Sequence, residues 1–160
     1  MRVRHVLGIL VLLGTGVMLL SPLAAFGAPP DSATVRFGST SVGSPDARNG
    51  PPFGDASTHA LDRMRPRTAV IAAGGTVDFE VDGFHQVVVY QVGKGLDDVD
   101  LSGGTPLLIN DFAGAIAVGT LPFAASDISV TFMAPGKYLV ICNVRPHLVE
   151  NGQYGWVDVK

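Results

Sequence analysis

The sequence predicts an all-β chain folded as a Greek-key sandwich or barrel of about seven strands. Three observations predict it. Short runs rich in β-branched and aromatic residues recur along the chain, several alternating apolar with polar residues. Turn signals such as Gly74-Gly75, Asp82-Gly83 and Ala134-Pro135-Gly136 separate those runs. No long stretch carries helical periodicity, so the helices that an α/β fold needs between its strands have no source here.

The chain has 160 residues, which favours one domain. Its first segment, "MRVRHVLGILVLLGTGVMLLSPLAAFGAPP", has the parts of a secretory signal. Arg2 and Arg4 open it, Val6 to Leu20 are apolar, and Pro22 breaks the run ahead of small residues. Cleavage after Gly27 puts Ala25 and Gly27 at the small-residue positions, so residues 1–27 are expected to be a signal peptide and the protein periplasmic or secreted. The alternative is an uncleaved membrane anchor, since Val6 to Phe26 is just long enough to span a bilayer. No cysteine near the cleavage region supports a lipid anchor, and Arg2-Val3-Arg4 is not a twin-arginine signal.

Without Arg2 and Arg4, 9 basic residues face 14 acidic ones, a net charge of −5. That argues against nucleic acid or anionic lipid as a partner and permits a basic protein. The mature chain is expected to carry no membrane span.

Residues 28–67 form a Gly/Pro-rich segment, with turns and little continuous burial. Within it "ATVRF" (Ala33 to Phe37) suits a short edge strand, and "DASTHALDRM" suits a single helical turn capped by Asp55 or Ser57. Residues 68–160 are the expected core domain. "TAVIA" (Thr68 to Ala72) is a strand ending at Gly74-Gly75. "TVDFEV" follows with Val77, Phe79 and Val81 on one face, and "FHQVVVYQV" (Phe84 to Val92) is dense in β-formers. From Lys94 to Asp127 the chain reads as irregular connection with room for one short helical or strand piece. "ISVTFM" (Ile128 to Met133), "KYLVICNV" (Lys137 to Val144) and "YGWVDVK" complete the set.

Cys142 is the only cysteine of the chain. The ordinary reading of a lone cysteine in an apolar strand is a small buried hydrophobe. An oxidising compartment threatens free thiols, however, and coordination to a metal is one stable way to keep a thiolate there. His147 lies five positions later, and Pro146 stiffens the return of the intervening loop. His85, just past the Asp82-Gly83 turn, is a third donor that a Greek-key sandwich can bring to the same pole. Two imidazoles and one thiolate are the equatorial ligands of a blue-copper site. A structural zinc site normally takes four strong ligands, often including two or more cysteines.

"GGTVDFEVDGFHQVVVY" followed by "APGKYLVICNVRPHLVENGQYGWVDV" resembles the cupredoxins, small blue copper proteins of the plastocyanin/azurin kind, over roughly residues 68–160. The resemblance implies a one-electron carrier holding one type 1 copper, with His85, Cys142 and His147 as equatorial ligands. It also implies redox protein partners and a monomer. This chain departs from the family at the axial position, where a methionine is usual and none is present. Gln153 falls near the right place, one residue later than the commonest spacing, and some family members use glutamine. Its harder oxygen donor favours Cu(II) and a lower potential. Otherwise Gln153 simply hydrogen-bonds in a loop, with copper three-coordinate or held by a backbone carbonyl, and Asn151-Gly152 shifts the register either way.

Phe84, Leu148 and Val149 are either an apolar rim around the copper pole or plain core. If the ring edge of His147 reaches the surface through that rim, electrons can leave by it, as is usual in the family. Tyr138 and Trp156 read as core packing rather than redox relays. His5 belongs to the signal segment, and His59 has no companion ligand nearby in sequence. The absence of a His-x-His pair disfavours a multicopper centre, and one cysteine excludes a binuclear copper-A centre. No phosphate loop, carboxylate pair or Ser/His/Asp arrangement emerges from the spacing, so no enzyme is expected. Two other functions compete with an electron carrier: a copper-binding or copper-delivery protein with the same ligands, and a metal-free sandwich that mediates protein contacts.

Overall fold

The structure, a computed structural model, describes residues 27–38, 63–81, 83–120 and 127–160. Nine strands are found among them: β1 (Ser32–Gly38), β2 (Arg63–Arg65), β3 (Thr68–Ile71), β4 (Gly75–Val81), β5 (Val87–Val92), β6 (Ala115–Val118), β7 (Ile128–Phe132), β8 (Gly136–Cys142) and β9 (Tyr154–Val159). A 3-10 turn at Leu96–Asp98 and one short helix, α1 (Arg145–Val149), complete the elements.

The strands form two mixed sheets, ordered β2-β1-β4-β7 and β3-β9-β8-β5-β6. The chain crosses between them repeatedly, and β1/β4 and β3/β9 pair in parallel. The result is an open sandwich rather than a closed barrel. β4 shows why: Val77, Phe79 and Val81 are buried while Asp78 and Glu80 face solvent, the alternation of a strand with one face on a core. Facing them from the other sheet are Val87, Val89, Tyr138, Val140, Cys142, Val157 and Val159. β8 does not alternate, because the second face of its sheet is covered too. Val88, Tyr90, Ile109, Leu139, Ile141 and Leu148 form a separate cluster there, with Leu96, Tyr154 and Trp156 packed against it.

Several expectations change. β1 is an interior strand between β2 and β4, not an edge. Residues 63–65, at the end of the proposed helical turn, are strand β2. The connection between β5 and β7 contains β6 and the 3-10 turn. β5 begins at Val87, not Phe84, because Gly83 (φ 98°) and Phe84 bend the chain before the strand starts. Tyr138 is buried in the inter-sheet core, but Trp156 is only half-buried, beneath Lys137. Leu148 is buried in the outer cluster, whereas Val149 is 57% exposed. The signal segment through Phe26, His5, His59 and the cap candidates Asp55 and Ser57 lie outside the described residues. Among the described residues, no helix is long and apolar enough to cross a membrane.

Candidate metal centre

Cys142 is the last residue of β8, opposite Val87, the first of β5. That pairing sets the cysteine beside the turn that carries His85, whose amide bonds the Gly83 carbonyl at 3.1 Å. After Cys142 the chain leaves the sheet. Pro146 sits in the first turn of α1, where its missing N–H costs nothing, and the helix presents His147. The helix ends with Gly152 in the left-handed region (φ 63°), its amide on the Leu148 carbonyl at 3.1 Å. This turn takes up the extra residue between His147 and Gln153.

The result is a compact donor triangle. The Cys142 Sγ is 3.7 Å from His85 Nδ1 and 3.8 Å from His147 Nδ1, and the two nitrogens are 3.0 Å apart. The rings are 4.7 Å apart between centroids and inclined by 55°. All three residues are buried, at 2%, 0% and 3% exposure for His85, Cys142 and His147. A point about 2.0 Å from both nitrogens, in the plane of the triangle, falls about 2.1 Å from the sulfur, close to ordinary metal–imidazole and metal–thiolate bond lengths. The group can therefore hold a metal ion.

Gln153 is joined to two of these residues through its backbone. Its carbonyl accepts from the Cys142 amide at 3.0 Å, and its amide donates to the His147 carbonyl at 2.9 Å. Its side chain is fully buried, and neither Oε1 nor Nε2 has a hydrogen-bond partner among the described residues. A buried amide in that state costs free energy unless something occupies its lone pairs. A soft thiolate and two imidazoles fit one metal ion, and the unpartnered Gln153 amide belongs to a residue bound through its backbone to Cys142 and His147.

A polar network missed in the sequence fixes the donors. Gln86 and Asn143, the residues after His85 and Cys142, are joined by an Asn143 Nδ2 to Gln86 Oε1 hydrogen bond of 2.6 Å. The Asn143 amide also donates to the Gln86 carbonyl at 2.8 Å, and Gln86 Nε2 to the Gly119 carbonyl at 2.7 Å. The Asn110 amide donates to Asn143 Oδ1 at 2.8 Å. Arg145 ties the same loop outward, donating to the carbonyls of Leu101, Gly103 and Thr105 at 2.7, 2.7 and 3.1 Å. One signal was available: an amide side chain in an apolar run, directly after His85 and directly after Cys142.

No family model and no curated protein matches the chain. Among solved structures, reduced auracyanin from the photosynthetic bacterium Roseiflexus castenholzii is similar over 84% of this chain and 99% of its own, at 17% identity and a TM-score of 0.51. Auracyanin A, a "blue" copper protein from Chloroflexus aurantiacus, is similar over 81% of this chain and 99% of its own, at 20% identity and a TM-score of 0.48. The chain has the cupredoxin fold.

Proposed function

We propose that the protein is an exported electron carrier with one type 1 copper per chain, held by His85, Cys142 and His147, with Gln153 as the axial group. The observation that carries this reading is the buried triangle of one sulfur and two nitrogens at 3.0–3.8 Å. Copper in such a site supplies a Cu(II)/Cu(I) couple. The Gln86–Asn143 network ties the segments that carry His85 and Cys142, the Gln153 backbone ties His147 to Cys142, and burial excludes water, which would limit rearrangement between oxidation states. At 3% exposure, only a sliver of His147 meets solvent as an exit for the electron. Gln153 would be a fourth protein donor and would leave no open position for substrate, in keeping with a carrier rather than an enzyme.

Buried donors favour retention of the metal over delivery, because handing copper on needs ligands a partner can reach. The N-terminal residues fit a signal peptide, which puts the carrier in the periplasm or outside the cell, working as a monomer with redox protein partners. Adding Cu(II) and recording visible and EPR spectra tests the reading. An intense blue or green band with narrow copper hyperfine splitting is expected. A pale, ordinary Cu(II) spectrum removes the carrier, and fast exchange of Cu(I) with a chelator favours delivery.

A further inference from the structure

Asn151-Gly152, in the turn between the helix that presents His147 and the residue Gln153, joins an asparagine to the amino acid that least hinders attack on its side chain. We propose that this turn is a site of spontaneous deamidation, by which the folded chain ages into a form with Gln153 displaced.

Three asparagines lie among the described residues, and the fold holds two of them. Asn143 is fully buried, its carboxamide bonds Gln86 and the Asn110 amide, and the β-branched Val144 follows it. Asn110 Oδ1 accepts from Asn143 Nδ2 at 3.3 Å, and Asp111 follows it. Asn151 is half-buried, and its carboxamide makes no hydrogen bond among the described residues. Gly152 lies in the left-handed region (φ 63°), and its surroundings are open. Apart from its chain neighbours, the nearest atom to a Cβ built there is a Tyr154 ring carbon at 3.9 Å.

The reaction consumes only water. Base takes the proton of the Gly152 amide, whose nitrogen attacks Cγ of Asn151. A new C–N bond forms, the bond from Cγ to the carboxamide nitrogen breaks, and ammonia leaves behind a succinimide ring. Water then opens that ring at Cγ to give aspartate, or at the backbone carbonyl carbon to give isoaspartate. The net change exchanges an amide for a carboxylic acid, with no oxidation.

The brake on this chemistry is weak. The Gly152 amide donates to the Leu148 carbonyl at 3.1 Å, and the Asn151 amide reaches the Pro146 carbonyl at 3.3 Å. Both bonds close the end of a five-residue helix, which has little stability of its own, so this turn opens without unfolding of the sandwich. Isoaspartate carries the backbone through Cβ and Cγ and so adds a methylene between His147 and Gln153. That span is closed by the Gln153 amide on the His147 carbonyl at 2.9 Å and by the Cys142 amide on the Gln153 carbonyl at 3.0 Å. The longer backbone displaces Gln153, while His85 and Cys142 lie outside the altered stretch.

The modification needs no metal; its consequence for an axial group rests on the copper reading above. The test incubates the full metal-free chain, warm and at neutral pH, both native and in guanidinium chloride. Peptide mapping and labelling by an isoaspartyl methyltransferase follow Asn151, with Asn49-Gly50 in a separate peptide. Native conversion within about a hundredfold of the unfolded rate is expected, since two backbone hydrogen bonds each slow it by up to about tenfold. Amide shifts in the aged chain should centre on residues 147–154, and Asn151→Gln should abolish labelling of this peptide. Slower native conversion, which would need global unfolding, or isoaspartate without a shift at Gln153 overturns the proposal. Conversion at Asn151 in a chain that gives no blue-copper spectrum keeps the site and removes its link to the metal.

Discussion

Asn143 donates its side-chain amide to the Gln86 oxygen at 2.6 Å, joining the residues that directly follow Cys142 and His85. Both are buried, and Asn143 Oδ1 also satisfies the Asn110 amide. Asn143→Leu leaves an acceptor and a donor buried without partners, so it should destabilise the metal-free protein by about 2–4 kcal/mol. Urea unfolding measures this. A loss under about 1 kcal/mol would show that the network does not hold the two segments together.

Gln153 offers a test with opposite signs in two states. Its buried amide lacks partners among the described residues, so Gln153→Leu should stabilise the metal-free protein by about 1–3 kcal/mol. The same change should perturb the spectrum of the copper-loaded protein. Gln153→Met, which replaces the harder oxygen with a thioether, should raise the reduction potential. Voltammetry showing no change would mean that Gln153 is not the axial group.

Arg145 spends its guanidinium on three carbonyls of one irregular segment. Arg145→Met removes all three bonds and should cost about 1–3 kcal/mol. Hydrogen exchange should speed up at residues 101–110, and copper should leave faster. Arg145→Lys should rescue only part of the effect, because an ammonium cannot span the three carbonyls as the planar fork does. Equal exchange rates in the variant and the parent would remove this role.

The Tyr90, Lys94 and Asp111 cluster contributes to the pH dependence of stability. Burial opposes ionisation of Asp111, but hydrogen bonds from Lys94, Asp100 and Ala113, with the Lys94 charge, hold its pKa below the ordinary value. Its contribution is present above the ordinary carboxylate pKa of about 4 and is lost as pH falls through the folded-state value. Burial, then the Asp111 charge, pushes the Tyr90 phenol well above its ordinary value. That contribution is complete below about pH 10 and is lost as pH rises further. Thermal unfolding against pH should therefore flatten on the acid side in Asp111→Asn and on the alkaline side in Tyr90→Phe.

The strands with one solvated face were legible because alternation records burial directly, as in β1, β4 and β7. β2 and β6 were not. Each is short, and β6 is an uncharged edge strand whose sequence, "AIAV", has no polar member to set a period. α1 was hidden because five residues carry no helical periodicity, and it is held by its neighbours rather than by propensity. The donors His85, Cys142 and His147 were legible by chemistry: thiolate and imidazole are scarce in this chain and few arrangements use them. Gln86, Asn143 and Arg145 act through hydrogen bonds to segments distant in sequence, which no local pattern encodes.

His147 and Gln153 both hang on one excursion, residues 143–153, which leaves β8 at Cys142 and returns to the adjacent β9. Val144 and Leu148 of that excursion are buried in the inner and outer clusters, so its length is open to change only between Leu148 and Gln153. Insertions or deletions at residues 149–152 would reposition Gln153 without removing either core residue. The placement of these side chains and the folding of the sandwich are in this way open to separate change, and transplanting the segment into another scaffold of the same shape should carry the placement of His147 and Gln153 with it.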